Sequence, residues 1–296
     1  MPRGVAPSAG SQIGILTAPT GRRYSKGRHD FVKGAASSAL GNDLPMTIYQ
    51  LAIECSGMGG EVAWCAGADV VSARTLEATR GSVQTMAPVI AELTETRPPD
   101  FISVTHGPGS FTGLRVGLAT AKMLAYAWQC PLVAVDTLAA VARGASYGDH
   151  TKGEPVVVIA VLNAFRRQVF AAAWHRENDA WNELAASQVI DAANWQQQPL
   201  QALQPRAEVA AGERPWGRWE SARCVVLGPG VEVYPPSPHA RVEVARAEWW
   251  QPRAAHVAAI GWEKFLAGQT TSALELLPNY LRASAAQERR AASRNQ

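Results

Sequence analysis

The run Thr105-His106-Gly107-Pro108-Gly109-Ser110-Phe111-Thr112-Gly113-Leu114-Arg115-Val116-Gly117-Leu118-Ala119-Thr120-Ala121-Lys122 constrains the chain more than any other stretch. Two glycines bracket a proline directly after a short apolar run, so the chain must turn sharply with its backbone close to another surface. Helical spacing follows at once, and Ser110 or Thr112 can cap that helix. The free amides of such a helix start could receive an anion. On spacing alone, Gly107, Pro108, Gly109, Ser110, Phe111, Thr112 and Gly113 read better as a structural strand-to-helix turn. The familiar phosphate fingerprints fail: the sixth position counted from Gly107 is Thr112 rather than glycine, and no Gly-Lys-Ser/Thr follows.

Around this loop the pattern is α/β. Thr47–Glu54, Glu61–Gly67 and Val70–Leu76 read as a meander of three strands, with a turn at Gly57–Gly60. Val83, Met86, Ile90 and Leu93 recur at helical spacing up to about Thr96, where Pro98-Pro99 stop the helix. Phe101–Thr105 reads as a buried strand, Gly113–Gln129 as a helix, and Leu132–Val135 as a strand. A further helix, capped by Asp136, runs to about Arg143. This β-β-β-α-β-α-β-α order is that of a ribonuclease H-like half. A second half opens with strands at Val156–Leu162 and Gln168–Trp174, joined by a turn at Asn163–Arg167. Residues 178–220 carry no clean period. Cys224–Leu227 is a later strand before Gly228-Pro229-Gly230, and Arg253–Ala267 is a helix before an extended tail at Leu277–Arg282. The expected organisation is a disordered basic tail at 1–45, an N-terminal domain at 46–150, a C-terminal domain at 151–282 whose last helix packs back on the first, and a disordered tail at 283–296. Met46 is a candidate start residue.

Composition bounds the function. With 47% of 296 residues apolar, the chain can bury a large core. Its longest dense apolar run, Pro155–Leu162, is far below the ~20 residues needed to cross a bilayer, so a cytoplasmic protein without membrane association is expected. The formal charge of +3 comes from the ends. Residues 1–45 hold six Lys/Arg against two Asp/Glu and residues 282–296 hold four against one, which leaves 46–281 at −4. A mildly acidic body argues against a dedicated RNA-binding face, so any tRNA is expected to be held only indirectly, by another subunit. Cys55, Cys65, Cys130 and Cys224 form no CxxC pair and no zinc spacing. The six histidines contain no HxxxH pair, and neither Ser110 nor His106 has a nameable acidic partner, so no catalytic residue, metal or cofactor is expected.

The helix after the loop carries Leu114, Leu118, Ala121, Ala125 and Trp128 at 4-3-4-3 spacing, with small residues alongside. Such a seam suits close approach of another helix, although a lone apolar stripe more often packs on its own sheet.

The stretch GPGSFTGLRVGLATAK resembles the signature of the TsaB (YeaZ) family. Leu51-Ala52-Ile53-Glu54-Cys55-Ser56 resembles that family's opening strand, which ends in Asp-Thr-Ser. Val161-Leu162-Asn163-Ala164-Phe165-Arg166 resembles its second-half Asp-Ala-Arg turn, and Leu277–Arg282 its closing Pro-x-Tyr-Leu-Arg. The resemblance implies two duplicated domains of the actin-like ATPase (ASKHA) superfamily. It also implies a non-catalytic platform in the complex that installs threonylcarbamoyl on tRNA, supporting a TsaD-like catalytic subunit and, through the complex, a TsaE-like ATPase. Val83, Met86, Ile90, Leu114, Leu118, Ala121 and Ala125 are then the expected docking residues, rimmed by Arg115 and Lys122. Glu54, Ser56 and Asn163 mark a candidate vestigial nucleotide site. Here Glu54 and Asn163 stand where the family has Asp, and Gly81-Ser82 where it often has His-Ser. Loss of the second carboxylate disfavours a Mg-nucleotide. The rival reading is a sugar- or acetate-kinase-like phosphotransferase, with Glu54 and Gly228–Gly230 facing phosphate. A third is a homodimer through the same seam.

Overall fold

The computed structural model describes residues 47–57, 59–76, 82–147, 155–177, 179–207, 216, 219 and 221–282. The expected tails at 1–45 and 283–296, Met46, Gly81 and the side chain of Val83 lie outside the described residues.

The first half runs β1 (Tyr49–Glu54), β2 (Gly60–Ala66), β3 (Asp69–Leu76), α1 (Ser82–Leu93), β4 (Phe101–Gly107), α2 (Phe111–Trp128), β5 (Leu132–Asp136) and α3 (Thr137–Ala142). The second runs β6 (Val156–Phe165), β7 (Gln168–Glu177), β8 (Ala180–Asp191), α4 (Ala192–Gln197), β9 (Cys224–Leu227), α5 (Gly230–Val233), β10 (Val242–Val244) and α6 (Ala254–Leu266). Each half folds into one five-stranded sheet, in the orders β3-β2-β1-β4-β5 and β8-β7-β6-β9-β10. The pairings repeat strand for strand. In each half the first three strands are antiparallel neighbours, while the first strand pairs in parallel with the fourth and the fourth with the fifth. The chain is therefore a duplicated α/β fold of the ASKHA type, as its sequence predicts. The duplication extends to a Gly-Pro-Gly after the fourth strand, at 107–109 and again at 228–230. The first glycine of each takes φ of +125°, which side chains with a Cβ rarely adopt.

Each sheet is covered by the last helix of the other half. Helix α3 lays Leu138, Val141 and Ala142 on Val156, Val158, Ala160 and Ala172 of the second sheet. Helix α6 lies on the first sheet, where Phe265 stacks on Phe101 with ring centroids 4.1 Å apart. Beneath α6, the Gln50 amide donates to the Ala258 carbonyl at 3.0 Å, and Ser103 Oγ donates to Gln50 Oε1 at 2.6 Å. Helix α6 has no capping side chain of its own. Buried Glu61 of β2 supplies the missing acceptor, taking the Ala254 amide at 2.7 Å and the Arg253 guanidinium at 3.0 and 3.2 Å. The two exchanged helices also meet: Arg143 pairs with Glu263 at 2.6 Å, and buried His256 bonds the Ala140 backbone. Burial, against that bond, pushes the His256 imidazole down to about 4, so it sits neutral between the helices.

Some expectations need correction. The stretch 178–220 contains a twelve-residue strand, β8, and the short strand β10 was also unforeseen. Helix α1 ends at Leu93 rather than Thr96, with Pro88 inside it. The apolar seam of α2 is not a free docking face: Leu114, Leu118, Ala121 and Ala125 are buried in the chain's own structure, as are Met86 and Ile90 of α1. Leu118, Ala121, Ala125, Met86 and Ile90 share one core with the first sheet, which they cover. No helix among the described residues is long and apolar enough to cross a membrane.

The contact between α6 and the first sheet is tight at Gly261, where an added Cβ would lie 2.0 Å from Ser103 Oγ. Gly261→Ala should destabilise the chain by about 1–3 kcal/mol in chemical denaturation. Because both sheets depend on exchanged helices, the loss should appear as a lower midpoint of one transition rather than as a separate unfolding of one half.

Candidate functional site

The parallel strands β1 and β4 of one sheet and β6 and β9 of the other end at a shared cleft of roughly 1440 Å³. In open α/β sheets the carboxyl ends of parallel strands are where ligands are held. The cleft brings together the three positions singled out in sequence, Glu54, Ser56 and Asn163, with Pro108–Phe111 of the signature loop and Asn279–Arg282 of the closing segment.

The loop is built by close packing of backbones. Ser110 accepts from the Gly113 amide at 3.2 Å and so caps α2, while its own amide donates to the Ser56 carbonyl at 2.7 Å. A Cβ at Gly113 would stand 2.1 Å from the Cys55 carbonyl oxygen, and one at Gly107 would stand 2.6 Å from that of Asn279. Glycine is thus required where the loop presses on the end of β1 and on the closing segment, and one helix-start amide already has its acceptor. That is the geometry of a turn.

Glu54 and Asn163 face the cleft but are engaged locally. The Glu54 carboxylate accepts from the Ser56 amide at 2.6 Å and from the Ser56 hydroxyl. Burial pushes its pKa up to about 7, the two Ser56 bonds pull it down, and the Glu61 charge adds to the rise. Asn163 Oδ1 accepts from the Phe165 amide at 2.7 Å and so shapes the β6–β7 turn. Among the described residues, no group of three His, Cys, Asp or Glu side chains is placed to hold a metal ion.

The closing segment crosses this cleft as a strap. Lys122 Nζ donates to the Leu276 carbonyl at 3.0 Å, and the Asn279 amide donates to the His106 carbonyl at 2.7 Å. Tyr280 stacks on Phe111 at 5.2 Å and takes a 3.0 Å bond from Arg115 Nε, and the Arg115 guanidinium lies 3.8 Å from the centre of the Phe111 ring. Arg282 then donates to the Ala164 carbonyl of the other lobe at 2.7 Å. Arg115 and Lys122, expected as a rim for a partner, thus hold the strap. His106 serves it too: its ring bonds the Leu277 backbone, while burial and then the Lys264 charge lower its pKa. No local period in the sequence signals these long-range contacts.

What remains exposed is the outer side of α1 and α2, opposite the faces buried on the sheet. Helix α2 shows Ala119, Met123 and Tyr126 there, the last two 74% and 76% exposed, and α1 shows Ala87, Pro88 and Ala91. These six residues are uncharged, and exposed Glu92, one turn after Pro88, pairs beside them with Arg74 at 2.6 Å.

A family model described as "TsaD: tRNA N6-adenosine threonylcarbamoyltransferase" matches residues 76–288. The tRNA threonylcarbamoyladenosine biosynthesis protein TsaB of Escherichia coli is 26% identical over 210 residues, covering 69% of this chain and 81% of that protein. TsaB of Bacillus subtilis is 32% identical over 94 residues, 32% of this chain and 38% of that protein. The structure of YeaZ from Pseudomonas aeruginosa superposes with a TM-score of 0.61 at 21% identity, covering 79% of this chain and all of that one, a likeness of fold.

Glu54 makes the cleft floor respond to pH. Its pKa is raised in the folded state, so the carboxyl stays protonated while the unfolded chain ionises. Stability present below about 4.5 is therefore lost as pH rises towards 7 and is level above that. Chemical denaturation of wild type and Glu54→Gln across this range should show wild type losing on the order of 3 kcal/mol relative to the variant. A constant difference would contradict the burial of an ionisable group there.

Proposed function

Because the chain is a TsaB (YeaZ)-type member of the family described as TsaD, tRNA N6-adenosine threonylcarbamoyltransferase, we propose that it serves threonylcarbamoyladenosine biosynthesis as a non-catalytic platform for a TsaD-like subunit. The observation that carries this reading is the exposed strip of Ala87, Pro88 and Ala91 on α1 and Ala119, Met123 and Tyr126 on α2, with the Glu92–Arg74 pair at its edge. Met123 and Tyr126 stand out from a surface of small residues, and small residues let a second helix pair approach closely. Large exposed side chains beside such a surface are the kind of feature that marks a protein contact. The docking residues are accordingly the outward ones, Ala87, Ala91, Ala119, Met123 and Tyr126, in place of the buried seam.

The cleft supports a non-catalytic role. Glu54 bonds its neighbour Ser56, Asn163 shapes a turn, and the strap bridges the two lobes across the cleft. A TsaE-like ATPase joins through the complex, tRNA is met only indirectly through the other subunits, and the setting is the cytoplasm. The same outer face can pair with a second copy when the partner is absent.

Met123→Asp with Tyr126→Asp places two charges on the exposed face. This double variant should fold with an unchanged melting temperature and fail to co-purify with the TsaD-like subunit of the same cell. Leu118→Asp should instead prevent folding, because Leu118 is core. Undiminished capture by the double variant would remove the face from the account.

A further inference from the structure

The β6–β7 turn is irregular in a way that no residue in it favours. The register skips Ala164, pairing Asn163 with Val169 and then Phe165 with Gln168. Phe165, Arg166 and Arg167 follow with φ of 58°, 52° and 62°. Residues with a Cβ take left-handed backbone at a cost, and a tight turn of this hand ordinarily carries Asn-Gly. A bulged residue leaves its ladder and is re-aimed, and such a cost persists where the surrounding structure uses the result. The skipped residue is the one the strap reaches: the Ala164 carbonyl takes the Arg282 guanidinium at 2.7 Å. Ala164 is itself buried, so its carbonyl is held in one place.

The other end of the strap is closed on itself. The Phe111–Tyr280 stack, the Arg115 bond to the Tyr280 hydroxyl and the Arg115 guanidinium over the Phe111 ring fasten it to the start of α2. Leu281 alone separates Tyr280 from Arg282, a span of about 7 Å at most, so the link has little slack. A second tie, between Glu61 of β2 and Arg253, lines the same cleft. Widening the cleft therefore breaks one tie or the other. We propose that the strap is a latch on the cleft: Arg282, seated on the bulged Ala164 carbonyl, holds the two lobes at one opening, and its release lets them move apart. Tyr280 is the anchor of this latch, the irregular turn is its catch, and Arg282 is a positioning residue. Lobe motions of this kind are absorbed at few residues, so one short link can govern them.

The test measures the opening itself, by double electron–electron resonance on the full chain with spin labels at Thr75→Cys and Val233→Cys. These exposed residues line the cleft from different lobes. Cys130→Ser removes the one native thiol that is not buried. The latched chain should give one narrow distance distribution. Arg282→Ala should lengthen and broaden it while the chain still unfolds in one cooperative transition. Amide exchange of residues 163–168 should quicken at least about tenfold in the same variant, as loss of a hydrogen bond from a charged group implies. Tyr280→Ala, at the other end of the strap, should broaden the distribution likewise. The double variant should be no broader than either single one, because both act through one link. An unchanged distribution in both single variants, or broadening in the double variant equal to the sum of the two, would overturn the proposal. So would faster exchange at 163–168 with the distances unchanged, which would make Arg282 a local prop of the turn.

Discussion

The molecule depends on one exchange: helix α6, which follows the second sheet in sequence, covers the first sheet, and α3, which follows the first, covers the second. Each sheet has one face covered by its own half and the other covered by the exchanged helix. Glu61 ties the exchange down by capping α6 from β2, and the Arg143–Glu263 pair joins the two helices where they meet. The ends of β1, β4, β6 and β9 are thereby held opposite one another, and the cleft between them follows from the crossing.

That geometry fixes the local contacts that line the cleft. The signature loop uses its glycines to let backbones touch, Ser110 caps the helix start, and Glu54 and Asn163 bond within their own turns. The strap then joins α2 to the β6–β7 turn through Tyr280 and Arg282. With the seam buried, Met123 and Tyr126 are among the large side chains that α2 leaves exposed.

Much of this was legible in sequence. The first half reads cleanly because buried strands alternate with helices whose apolar spacing is strong, and the unbroken loop motif carried the family. The second half reads poorly for local reasons. Strand β8, Ala180–Asp191, mixes polar and small residues without alternation, and β10 is three residues long and only partly buried. The seam was misplaced because spacing marks a face that will be buried but not what buries it. Leu118 and Ala121 satisfy either reading until the sheet beneath them is seen. The strap was out of reach in a different way, since Arg115 and Tyr280 lie 165 residues apart and no period links them. Even the second Gly-Pro-Gly was visible, but its meaning as a repeat of the first needed the strand order.

The most direct measurement is reconstituted threonylcarbamoyl transfer to tRNA with this chain and the TsaD-like and TsaE-like proteins of the same cell. The account predicts no transfer by this chain alone and transfer by the TsaD-like subunit that depends on adding it. Transfer by this chain alone, or a TsaD-like subunit equally active without it, would contradict the platform role.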